Sequence, residues 1–110
     1  MTDPKLDQLV TLARLRKLHE DTKMARLTAR RSQIEAEIAG LRTSCPEPLK
    51  LDEFVFSGGW ERARLWRDAQ LLARNSDLAS LRAEIAEQMP ASNRATARFE
   101  IARELKKRTP

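Results

Sequence analysis

The sequence predicts an all-α fold: an elongated antiparallel coiled-coil hairpin of two helices, the second kinked or broken near Pro90. Three observations predict it. Apolar residues recur at helical spacing over 4–44 and again over 59–108. Two prolines and a glycine pair fall in or beside the segment between those runs, 45–58. Charged residues make up 34% of the chain and aromatic residues only 5%, a composition of long helices rather than of a compact globule. The length of 110 residues sets the expectation of one domain, 1–110.

The first helix starts where Asp3 can cap it and Pro4 can take its first position, because a missing N–H costs nothing there. Met24, Leu27, Arg31, Ile34, Ile38 and Leu41 are spaced alternately by three and four residues, as in a coiled-coil seam. Upstream, Leu6, Leu9, Val10 and Ala13 form another stripe, and Leu12, Leu15 and Leu18 a competing one. Carrying the seam backwards puts Lys17 and Glu20 on it, so the expectation is a register shift near Leu18. Gly40 weakens the last turns, and Pro46 turns Cys45 away from helix.

The connecting segment contains Leu49, Leu51, Phe54, Val55 and Phe56 and is unusually apolar for a loop. Ser57 is a candidate cap for the second helix. That helix is expected to present Leu65, Ala69 and Leu72, then Leu78, Leu81 and Ile85. Pro90 then kinks it, or a new helix starts at Ser92 or Asn93. Ala95, Phe99, Ala102 and Leu105 line one side of the final turns. Pairing about the loop centre sets Pro90 opposite Ala13 and carries the C-terminal turns past the N-terminus.

The net charge of +5 is placed unevenly. Residues 1–20 and 90–110, brought together by the hairpin, hold ten basic residues and five acidic ones, so the whole excess belongs to the open end. Arg14, Arg16, Lys17, Arg94, Arg98, Arg103, Lys106, Lys107 and Arg108 make that end a candidate surface for an acidic partner. At the loop end, Phe54, Val55, Phe56, Trp60 and Trp66 close the hairpin or anchor a partner. Trp60 and Trp66 lie six residues apart, about 120° in rotation, so one of them is the more exposed.

Nothing in the chain spells out a catalytic constellation. His19 is the only histidine and has no cysteine or second histidine at ligand spacing. Cys45 is the only cysteine, which excludes an intramolecular disulfide, and no partner base stands near it in sequence. Glu35, Glu37, Glu84 and Glu87 read as surface carboxylates with local arginine partners, not as an acid–base pair. The expectation is no enzyme, no cofactor, no metal and no small-molecule substrate. No run approaches the ~20 apolar residues of a membrane span, and 1–8 has no signal-peptide core, so the expected location is the cytoplasm.

The segment from Leu6 to Leu41, a leucine-spaced start followed by a basic-acidic patch and an alanine-containing heptad stretch, resembles the first helix of the FliJ-like stalk proteins of flagellar and type III export. The tail from Ser92 to Arg108 is similar to their closing helix, and Gly58–Ile85 looks like the second helix of short members. The chain is shorter than the family norm, and Pro90 departs from its pattern. The resemblance implies a stalk that inserts into a hexameric export ATPase and meets the export gate or chaperones. It implies a cytoplasmic position peripheral to a membrane-embedded complex. Two rival readings remain: a coiled-coil adaptor or chaperone using the Leu12, Leu15 and Leu18 stripe, and a basic arm that grips nucleic acid. Against the second, the aromatics and the excess charge stand at opposite ends, whereas single-strand binders interleave them.

Overall fold

The computed structural model describes residues 3–43 and 58–109. Its elements are α1, Pro4–Thr43, and α2, Gly59–Arg108, with no strand among the described residues. Phe54, Val55, Phe56 and the candidate cap Ser57 lie outside those residues. The chain falls into two compact units, one of Met1–Ala29 with Ala83–Pro110 and one of Arg30–Arg82. Each is an antiparallel pair of helical segments, and the fold class is that of a helical hairpin.

Asp3 caps α1 as its chemistry predicts. Its carboxylate accepts a hydrogen bond from the Lys5 amide at 2.9 Å, and its carbonyl accepts from the amides of Leu6 and Asp7. At the start of α2, Gly58 has φ of 75°, a left-handed conformation that a side chain would strain. Its carbonyl accepts the Arg62 amide at 3.2 Å. Lys106, Lys107 and Arg108 close α2 with positive charge, which suits the negative end of the helix dipole.

In the first unit α1 turns Leu6, Val10, Ala13, Lys17, Glu20, Met24 and Leu27 inward, buried or half-buried. The spacing alternates between four and three without a skip, so the register shift expected near Leu18 does not occur. The three leucines that suggested it are spaced three apart. Each such step turns ~60° around the helix, so they share no face. All three are exposed. Lys17 and Glu20 take the seam positions because their charged heads find partners.

On α2 the first unit buries Ile85, Ala95 and Ala102 and half-buries Gln88, Ser92, Phe99 and Lys106, again at heptad spacing. The seam therefore ends on Lys106 and leaves Leu105 outside. Lys106 Nζ lies 2.8 Å from Asp7 Oδ1, and Phe99 lies beside Arg14. Ala13 is thus level with Phe99, not with Pro90, and the final turns stand beside the first turns instead of passing them. The centre of the connecting segment was the wrong pivot, because the two helices differ in length by ten residues. α2 continues through Pro90 without a new start, so Ser92 and Asn93 are not caps. Pro90 occupies the outermost heptad position, where its ring faces water.

In the second unit the expected α1 seam is the observed one: Ile34 and Ile38 are buried, Arg31 and Leu41 half-buried. On α2, Leu78 and Leu81 are buried, but the positions before them are Arg67, Leu71 and Arg74, each half-buried. Leu65, Ala69 and Leu72 face solvent. A continuous helix keeps the frame set by Leu78, and Arg74 can lie along the seam because Glu37 receives its guanidinium at 2.8 Å.

Candidate partner-binding surfaces

Among the described residues no three His, Cys, Asp or Glu side chains gather as a metal site would require. No described helix is long and apolar enough to cross a membrane. One hollow among the described residues, about 560 Å³, is an open groove in the second unit lined by Glu35, Ile38, Arg42, Asn75, Leu78 and Arg82. It holds charges of both signs in contact with water.

The nine basic residues expected at the open end all belong to the first unit, and they separate into three groups. Arg14 and Arg103 lie over the Phe99 ring, 5.9 and 5.6 Å from its centre, and cover the only aromatic side chain of that unit. Arg16, Lys17, Lys106 and Arg108 pair with Glu20, Asp21, Asp7 and Glu104 at 3.2, 2.5, 2.8 and 3.4 Å. Arg94, Arg98 and Lys107 are exposed and have no side-chain partner among the described residues. These last three keep their charge wholly available.

The loop-end candidates within the described residues are Trp60 and Trp66, 40% and 60% exposed, so Trp66 is the more open of the two. Phe54, Val55 and Phe56 lie outside the described residues.

One polar cluster lies inside the first unit. Glu20 is 2% exposed. Its carboxylate receives the Arg16 guanidinium and a short hydrogen bond from the Gln88 amide, which also reaches Ser92 Oγ at 3.3 Å. The Gln88 bond holds the Glu20 carboxyl below its ordinary pKa against the opposing effect of burial, with help from Lys23, Arg16 and His19. In the sequence, Glu20 stands out only as a polar residue on an otherwise apolar spacing. Extending the three-four spacing through both helices would have shown it and Gln88 on facing seams.

The heptad frame also sorts the outer surface into two flanks. In an antiparallel pair, the e positions of both helices share one flank and the g positions the other. Arg14 and Arg103, both at e, meet over Phe99, and in the second unit Glu35 and Arg82, also at e, approach to 4.0 Å. In the first unit the opposite flank, of g and c positions, carries Lys5, Arg16, Lys23 and Arg26 from α1. From α2 it carries Arg94, Arg98 and Arg108, against Glu84 and Glu87. The whole excess charge of the unit therefore stands on this side. Comparison with family models, with curated proteins and with solved structures finds no match to this chain.

Proposed function

We propose that this chain is a non-enzymatic coiled-coil component of a flagellar or type III protein export apparatus. It acts as a stalk that inserts into the hexameric export ATPase and links it to the export gate or to chaperones. The reading rests on the sequence resemblance. The observation that supports it best is how the side chains are divided between seam and surface. The first unit spends alanine, lysine, glutamate and glutamine on its seam and leaves Leu9, Leu12, Leu15, Leu18, Ile101 and Leu105 outside. A helix pair serving only its own stability would do the reverse. Large exposed apolar side chains beside basic residues, of which Arg94 and Arg98 make no ion pair among the described residues, suit contact with other proteins.

The test is size-exclusion chromatography of the purified protein with a hexameric export ATPase. Co-elution of a monomeric chain with the ring supports the stalk. A stable homodimer that ignores the ring, seen by light scattering, supports the adaptor reading instead. Tight RNA retention with a steep salt dependence supports the nucleic-acid arm.

A further inference from the structure

The g and c flank of the first unit has an ordered pattern along its length. Leu9 and Leu105 stand level across the seam, and Leu12 and Ile101 form the next rung outward. They are 45%, 45%, 65% and 61% exposed. On one side of these apolar rungs lie Arg16 and Arg98, on the other Lys5 and Arg108; Arg98 and Lys5 make no ion pair among the described residues, while Arg16 and Arg108 pair along their own helices with Glu20 and Glu104 and stay largely exposed. Between these basic rungs the flank holds no acidic residue. The pattern is basic, apolar, apolar, basic from Lys5 to Arg16 of α1, about 16 Å at ~1.5 Å per residue.

We propose that this flank is a docking site for an acidic amphipathic helix of a partner protein, which packs as a third helix between α1 and α2. The partner would place two or three apolar side chains at its centre, spaced by three and four, over Leu9, Leu12, Ile101 and Leu105. Asp or Glu at either end, about two turns from the centre, would meet the basic rungs. Charge decides the occupant. A second copy of this flank would set basic rungs against basic rungs. A membrane surface is the poorer fit, because interfacial binders present Trp or Phe, and Phe99 is covered by Arg14 and Arg103 on the other side. The proposal is independent of the export apparatus: it concerns the chemistry of the partner, not its identity.

The probe is a synthetic helical peptide of about 20 residues with one leucine face flanked by glutamates, measured against a scrambled peptide of identical composition. The expected result is saturable binding of the amphipathic peptide alone. It weakens about tenfold or more in Leu12→Asp and in the double variant Lys5→Glu, Arg98→Glu. Asn93→Glu, on the opposite flank, keeps the affinity, and circular dichroism of each variant reports that the helices persist. Ile101→Ala is the milder second variant should Leu12→Asp lose helix. Equal binding of both peptides overturns the proposal, as does indifference to the flank variants. So does preference for oligouridine or for vesicles with anionic lipid over the peptide.

Discussion

At the scale of single residues, Glu20 is the most informative position. A carboxylate almost without solvent exposure stays ionised because Gln88 and Arg16 bond it from two helices' worth of backbone. Its depressed pKa fixes a sign. Stability from this group is fully present above its ordinary pKa of 4.5 and is lost as pH falls through the lowered folded-state value. The melting temperature of the wild type should therefore drop on acidification below about pH 4.5, and Glu20→Gln should flatten that part of the curve. An acid profile identical in the two proteins would remove Glu20 from the account. Hydrophobicity alone could not reveal this residue, because it ranks Leu18 above Glu20 for burial. Partner geometry reverses that order.

At the scale of elements, the helices themselves were legible in the sequence, and so was the seam from Met24 to Leu41. There the apolar residues and the three-four spacing agree. They disagree at Lys17, Glu20, Arg67 and Arg74, where spacing wins because a continuous helix resists a local change of twist; at Lys17, Glu20 and Arg74 the charged heads are also paired. Ile34, among the least exposed side chains, carries much of the second unit's packing. Ile34→Ala should cost about 2–5 kcal/mol in urea unfolding, whereas Leu72→Ala, at an exposed position, should change stability by under about 0.5 kcal/mol. Pro90 offers the opposite experiment. It removes one hydrogen bond from α2 at a water-facing position, so Pro90→Ala should stabilise the protein by up to ~3 kcal/mol and raise its melting temperature. A loss of stability would mean that the proline ring fits a contact.

At the scale of the whole molecule, charge is shared unequally between the two units. The sequence of the first contains twelve basic and eight acidic residues, that of the second nine and eight. The composition announced that imbalance, but only the heptad frame concentrates it on one flank beside the exposed leucines. Leu9, Val10 and Leu12 are all apolar, and sequence spacing alone offers each of them to the seam or to a rival stripe; Val10 alone goes inside. The surface depends wholly on the pairing of the helices. That pairing sets Val10 level with Ala102 and sends Leu9, Leu12, Ile101 and Leu105 outward together. Disulfide trapping in a Cys45→Ser background tests it most directly. Val10→Cys with Ala102→Cys should cross-link within the chain under mild oxidation. Cross-linking of Val10→Cys to Asn93→Cys instead, the register centred on the loop, would contradict the pairing and dissolve the flank built on it.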